Sequence, residues 1–166
     1  MSWDAAVSLF MQELTVGLPD PAQTMRVTLR LSAAMLLGAI VGIQREQKGK
    51  AAGLRTHMLV AVGTALFVIT ALEVGMSIGD LSRVIQGIAT GIGFIGAGAI
   101  LKLAEERQIQ GLTTAAGIWM TAAVGVAAGL GRVGLALLSA VLAWIILAVV
   151  GAIEHRIERR AAKAEP

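Results

Sequence analysis

The chain contains no cysteine and no tyrosine, and its aromatic content is only 4%. Without cysteine there are no disulfides, no thiol nucleophile and no cysteine-ligated metal. Charged residues make up 15% of the 166 residues, whereas in a soluble domain they make up about a quarter. Hydrophobic residues make up 56%, and the mean hydropathy is +0.76. These proportions predict a membrane protein, and the small net charge of +3 gives no indication of a nucleic-acid partner.

Five apolar runs are long enough to cross a bilayer. Each is close to the about 17–25 residues that a transmembrane helix needs. In lipid only a helix pairs all the backbone polar groups of such a run. We therefore predict an all-α membrane protein with five transmembrane helices, at Val27–Ile43, Thr56–Val74, Val84–Leu101, Thr114–Leu130 and Val133–Ala152.

Lysine and arginine are distributed unevenly between the two ends of these spans. Ten of the 14 follow spans one, three and five, and four lie at the opposite ends. Because basic residues accumulate on the cytoplasmic side, the N-terminus is predicted outside and the C-terminus in the cytoplasm. The chain then divides into an amphipathic outer or interfacial segment (1–24), a five-helix transmembrane domain (25–152) and a short basic cytoplasmic tail (153–166).

The first segment has the pattern of a surface helix. Trp3, Val7, Phe10 and Leu14 recur at helical spacing on one face, and polar residues occupy the other. This pattern favours a helix lying on the outer membrane surface. A poorly ordered terminus is the alternative.

An internal repeat is visible at an offset of 58 residues. Gly38-Ala39 matches Gly96-Ala97, and Gly53-Leu54-x-Thr56 matches Gly111-Leu112-x-Thr114. Two parallel units, spans one with two and spans three with four, would explain these matches. Chance matching of small residues in apolar helices is the competing explanation.

Glycine is abundant, with 20 residues. Gly91-x-Gly93-x-x-Gly96 has the spacing of a dinucleotide-binding loop, but that loop needs a preceding strand, and here the glycines lie inside an apolar run. We interpret them as helix-packing residues that allow close backbone approach, and we place the third span at the centre of the bundle. The predicted packing glycines are Gly38, Gly42, Gly87, Gly91, Gly93, Gly96 and Gly98. Gly125 and Gly129 are four residues apart, as are Gly38 with Gly42 and Gly87 with Gly91.

Polar residues concentrate where the spans meet the cytoplasm. One interpretation is anchoring to anionic lipid, and the other is a functional network between helices. The candidate cluster is Arg45, Glu46, Lys50, Arg55, Thr56, His57, Thr113 and Thr114. Near the outer end of span one, Arg30 either extends to the headgroups or pairs with an acid such as Glu73 or Asp80.

The sequence contains no pattern typical of a catalytic or metal-binding site. No carboxylate lies at the middle of a span, which argues against an ion-coupled transporter. The two histidines lack metal-ligand spacing, and nothing resembles a nucleophile paired with a base. The residues therefore predict neither an enzyme nor a bound cofactor, and no set of ligands supports Mg²⁺.

Several motifs together resemble the MgtC/SapB family of bacterial inner-membrane proteins, from about Leu29 to Gly131. They are Arg30-Leu31, Gly38-x-x-x-Gly42, Arg45-Glu46, Lys50-x-Ala52-Gly53-Leu54-Arg55-Thr56-His57, the run Gly91–Gly98 and Gly111-Leu112-Thr113-Thr114.

The resemblance implies a multi-pass inner-membrane protein with a regulatory role in magnesium or ion homeostasis. It further implies a link to virulence and membrane partners such as the F-type ATP synthase or a transporter. A homodimer, formed through a glycine face, is also expected. Many members continue into a cytoplasmic C-terminal domain, so this chain is expected to be a short form. A cation transporter or channel subunit is the alternative function.

Overall fold

The computed structural model describes residues 2–16, 20–103 and 108–151. These residues are almost entirely helical, as predicted, with one short antiparallel ribbon that the sequence did not predict. The elements are α1 (Trp3–Thr15), α2 (Pro21–Gln47), α3 (Leu54–Glu73), α4 (Ile78–Gly98), β1 (Leu101–Leu103), β2 (Gln108–Gln110), α5 (Leu112–Gly129), α6 (Val133–Ile145) and a π-helical turn (Ile146–Val150).

Four helices in the described part of the chain are long and apolar enough to cross a membrane. They are α2, α3, α5 and the continuous helix formed by α6 and the π-helical turn. The prediction of a helical membrane protein is thereby confirmed in its general form. Helix α4, the third predicted span, has 21 residues but is not one of the four. Its first turns contain Asp80 and Arg83, and its glycines contribute little hydropathy.

Local sequence explains where the helices begin. Asp20 caps α2 with Pro21 in the first turn, and the Ser77 hydroxyl accepts a hydrogen bond at the start of α4. Helices α3 and α5 instead follow glycines, Gly53 and Gly111, which provide no capping side chain. Gly111 has φ of +95°, and an added Cβ would collide with the Ala99 carbonyl, so only glycine fits there.

The tightest packing joins α3 to α2 and α5. A Cβ at Gly38 would lie 2.7 Å from the His57 carbonyl oxygen, and one at Gly42 would lie 2.8 Å from the Leu54 Cα atom. A Cβ at Gly129 would lie 2.7 Å from the Ala65 carbonyl oxygen. These glycines therefore let the helix backbones come into direct contact. The surrounding core consists largely of small and β-branched residues, including Ala34, Ala61, Ala65, Val124 and Ala128.

Side-chain contacts fix which helix ends lie together. The Gln23 amide donates a hydrogen bond to Glu73, which joins the start of α2 to the end of α3. At the other end of α2, Arg45 bonds to Thr114 in the first turn of α5. Helix α3 thus ends at one end of the bundle and α5 starts at the other. Helix α4, together with the ribbon, connects the two ends.

Helix α4 lies at the edge of the bundle, so the expectation that it occupies the centre is wrong. It buries only Ile92 and Gly96. Added Cβ atoms at four of its glycines would meet nothing within 4 Å, and the four are Gly87, Gly91, Gly93 and Gly98. An apolar groove of about 470 Å³ separates α4 from α3, with Phe67, Gly87 and Gly91 among its lining residues.

Helix α1 buries none of its residues. The four predicted apolar residues of its face, Trp3, Val7, Phe10 and Leu14, are all exposed. Its position on a membrane surface remains a prediction. The predicted basic tail, 153–166, lies outside the described residues.

Candidate functional site

The structure divides the predicted polar cluster into a buried part and an exposed rim. Arg45, His57 and Thr114 are buried at the junction of α2, α3 and α5. Thr56 is half-buried. The exposed members, which we call the polar rim, are Glu46, Lys50, Arg55 and Thr113.

Arg45 links α2 to α5. It lies in the last turn of α2, is only 3% exposed, and its Nη2 atom donates a hydrogen bond of 2.8 Å to the Thr114 hydroxyl. Its Nε atom is buried and has no hydrogen-bond partner in the described part of the chain. A buried guanidinium with an unused donor is costly, because desolvating a charged donor without a partner is unfavourable.

His57 lies in the first turn of α3 and is fully buried. Its Nδ1 atom lies 2.9 Å from the Gly53 carbonyl oxygen. A carbonyl only accepts hydrogen bonds, so Nδ1 carries a proton, and in the neutral imidazole Nε2 is then an acceptor. Nε2 has no partner among the described residues, and it faces Gly117 on α5, where an added Cβ would lie 3.6 Å away.

Glu46 stabilises the start of α3. Its carboxylate accepts a hydrogen bond of 2.9 Å from the Leu54 backbone N–H, which replaces the side-chain cap that Gly53 does not provide. An added Cβ at Gly53 would collide with this carboxylate. The Arg45-Glu46 pair therefore has two separate tasks, since Arg45 contacts α5 and Glu46 contacts α3.

The structure also shows two polar residues that the sequence reasoning missed. Gln44 is 7% exposed, and neither of its amide atoms has a described partner. Lys48, one helical turn further on, donates a hydrogen bond of 3.0 Å to the Leu147 carbonyl oxygen in the π-helical turn. The spacing of four residues on α2 was the available signal, because it places both side chains on one face.

Arg30 contacts a backbone carbonyl and neither of the two acids suggested as alternative partners. Its Nη1 atom donates a hydrogen bond of 3.1 Å to the Gly129 carbonyl at the C-terminus of α5, and its guanidinium packs against Gly131. The two suggested acids bond elsewhere, since Glu73 accepts from Gln23 and Asp80 accepts from Ser77. A cation at a helix C-terminus is favourable because the free carbonyls there carry partial negative charge.

The described residues give the buried site donors and neutral acceptors but no acid. Its polar members are Gln44, Arg45, His57, Thr114 and, deeper between the helices, Thr64 and Thr121. The hydroxyls of Thr64 and Thr121 bond to carbonyls of their own helices. Among the described residues there is no group of three or more side chains of the types that hold a metal ion.

Comparison with known proteins gives one family and several relatives. The sequence model of the MgtC family matches residues 31–156. Protein SrpB of Synechococcus elongatus is 45% identical over 116 residues, which cover 63% of this chain and 64% of SrpB. YhiD of Escherichia coli strain K12, whose name gives magnesium transport as a provisional activity, is 40% identical over 136 residues, or 76% of this chain and 61% of YhiD.

A third relative is Protein MgtC of Salmonella typhimurium strain LT2. It is 43% identical over 104 residues, which cover 63% of this chain and 43% of that protein. The chain thus spans less than two thirds of the length of each of these curated relatives. No solved structure gives a significant match.

Proposed function

This chain belongs to the MgtC family, and from that premise we propose that it is an inner-membrane regulator of magnesium or ion homeostasis that binds other membrane proteins. The observation that carries the proposal is the polar rim, which lies beside a helix junction joined by the Arg45–Thr114 hydrogen bond and by close packing of α2 against α3. Exposed charges on packed helices suit recognition of a partner, because little backbone ordering is needed on binding. In this proposal the protein is not an enzyme.

Five membrane crossings are part of the proposal. Helix α4 has 21 residues, which corresponds to a length of about 31 Å at 1.5 Å per residue, close to a hydrocarbon core of about 30 Å. The helix-end contacts support a crossing by α4, because α3 ends at the opposite end of the bundle from the start of α5. With five crossings, the distribution of basic residues gives an outer N-terminus and a cytoplasmic C-terminus.

The absence of cysteine makes this topology testable with single introduced thiols. A membrane-impermeant maleimide added to intact cells should label Met76→Cys, between α3 and α4, and should leave Gln110→Cys, before α5, unlabelled. Gln110→Cys should react after the cells are opened. If both positions react in intact cells, α4 does not cross the membrane.

A parallel repeat is also proposed, with α2–α3 and α4–α5 as its units. Helices α3 and α5 begin at Leu54 and Leu112, which are 58 residues apart, and each follows a glycine. Gly38 packs against His57, and Gly96 packs against Ala115. Gly96 and Ala115 lie 58 residues after Gly38 and His57, respectively. This equal offset favours a common origin over chance.

The regulatory role is tested by capture of partners in cells. After membrane crosslinking under low magnesium, the wild-type protein should co-purify with a specific membrane protein, and Lys50→Gln combined with Arg55→Gln should weaken that capture. A control that removes exposed charges elsewhere, Arg26→Gln with Arg83→Gln, should not. Capture that is absent at low magnesium, or equally strong in both variants, would contradict the proposal.

A cation transporter or channel subunit is the second candidate, favoured by the 40% identity to YhiD and the name of that protein. In this case purified protein in liposomes should carry Mg²⁺ down a gradient, measured with an enclosed magnesium-sensitive dye. Flux that matches protein-free liposomes would exclude the transporter. Flux abolished by Arg45→Gln would favour the transporter over the regulator.

A further inference from the structure

The two helices that begin at this end of the bundle differ in the charge placed at their N-termini. The first backbone N–H groups of a helix have no intrahelical partner and carry partial positive charge. At α3 this charge is balanced by the Glu46 carboxylate, which accepts from the Leu54 N–H. At α5 the buried charged group is the Arg45 guanidinium, bound to Thr114.

The start of α5 therefore combines two positive features. Gly111, which precedes the helix, provides no side-chain cap. Among the described residues the one ion pair joins Arg26 to Asp20, so Arg45 has no acidic partner in this part of the chain. Because a buried charge is normally paired, the geometry calls for a negative group near Arg45.

The unused hydrogen-bonding atoms specify that group further. Arg45 Nε is a buried donor without a described partner. His57 Nε2 is a buried acceptor without one, and it faces Gly117, one turn along α5 from Thr114. A ligand that satisfies both must accept one hydrogen bond and donate another, and the uncompensated charge of Arg45 favours a ligand that is also negatively charged.

We propose that Arg45, the N-terminus of α5 and His57 form a binding site for a small oxyanion that still carries a proton, such as phosphate. Its charged oxygens accept from Arg45 Nε and from the free N–H groups of α5. Its remaining O–H donates to His57 Nε2. Sulfate has similar size and charge but no proton at neutral pH, so it cannot donate a hydrogen bond to the neutral imidazole. This site extends beyond the proposed regulatory function and does not depend on it.

The test measures the thermal stability of the purified full-length protein in detergent at constant ionic strength. Inorganic phosphate should raise Tm in a saturable manner, and sulfate should raise it less. Arg45→Gln should bind phosphate at least about tenfold more weakly, the loss expected for one charge-assisted hydrogen bond. Arg26→Gln removes an exposed arginine at the other end of α2 and should respond as the wild type does.

A second variant keeps the proposal testable if Arg45→Gln does not fold. His57→Phe should reduce the difference between phosphate and sulfate, because neither ion then has a partner for a proton. Phosphate binding can be measured by calorimetry if the Tm change is small. Equal responses to phosphate, sulfate and chloride, or a phosphate response retained in Arg45→Gln, would overturn the proposal. A response only to phosphatidylglycerol in nanodiscs would assign the anion to a lipid headgroup and overturn the requirement for a proton.

Discussion

The glycine pairs of α2 and α5 and the pair Gly87 with Gly91 of α4 have the same spacing in the sequence but opposite surroundings. Gly38 with Gly42 and Gly125 with Gly129 lie where an added Cβ would meet the backbone of α3. Gly87 and Gly91 are also four residues apart, yet nothing lies within 4 Å of an added Cβ. Small-residue spacing in a membrane helix therefore identifies a face that permits close approach, but only the partner helix decides whether the approach takes place.

The largest expected effect comes from adding a side chain at a glycine that packs directly against the backbone of α3. Gly125→Ala places a methyl group against the Ala61 carbonyl and the Thr64 hydroxyl. We expect a loss of about 1–3 kcal/mol or more in the free energy of unfolding, the range found for overpacked cores. The measurement is unfolding in mixed micelles titrated with sodium dodecyl sulfate. If Gly125→Ala is as stable as Gly87→Ala, the close packing of α3 with α5 is wrong.

The next effect comes from the polar junction. Thr114→Val removes the hydroxyl that accepts from Arg45 and keeps the side-chain volume. A buried donor left unsatisfied costs about 1–3 kcal/mol, so the unfolding midpoint should fall clearly. Thr113→Val is the matched control, because Thr113 is exposed and adjacent. Equal midpoints for the two variants would show that the Arg45–Thr114 bond contributes nothing to stability.

A smaller effect is expected at the opposite end of α5. Arg30→Met keeps most of the side-chain length but loses the hydrogen bond to the Gly129 carbonyl. Because Arg30 is only half-buried, we expect a loss of about 1 kcal/mol. Arg26→Met should cost less than about 0.5 kcal/mol, since the Arg26–Asp20 pair is exposed with an N–O distance of 4.0 Å. The same micelle titration compares the two, and a larger loss for Arg26→Met would contradict the capping role of Arg30.

The sequence was sufficient for features that depend on one helix alone. Apolar run length predicted α2, α3 and α5 as membrane helices, and the Arg45 to His57 motif located the polar junction. What it could not predict depends on pairs of helices. Arg30 meets a carbonyl instead of an acid, and α4 lies at an edge instead of the centre. A free backbone carbonyl at a helix end has no signal in the sequence. Glycine spacing is the same whether the glycine packs against a neighbouring helix or not.

The smallest effect on folding, and the sharpest test of the comparison, is expected at the open glycines of α4. Gly91→Ala fills empty space and removes the entropic cost of glycine in a helix, so stability should stay unchanged or rise by about 0.5–1 kcal/mol. If two copies associate through this face, which is one way to form the expected homodimer, the bulkier Gly91→Leu should block association without destabilising the monomer. A single thiol at Gly98→Cys, on the same open face, should crosslink between copies, and Gly91→Leu should lower that yield. If Gly91→Leu leaves the crosslinking yield unchanged, this face of α4 is not part of the interface. If Gly91→Leu unfolds the monomer, α4 packs more tightly than the empty space at its glycines indicates.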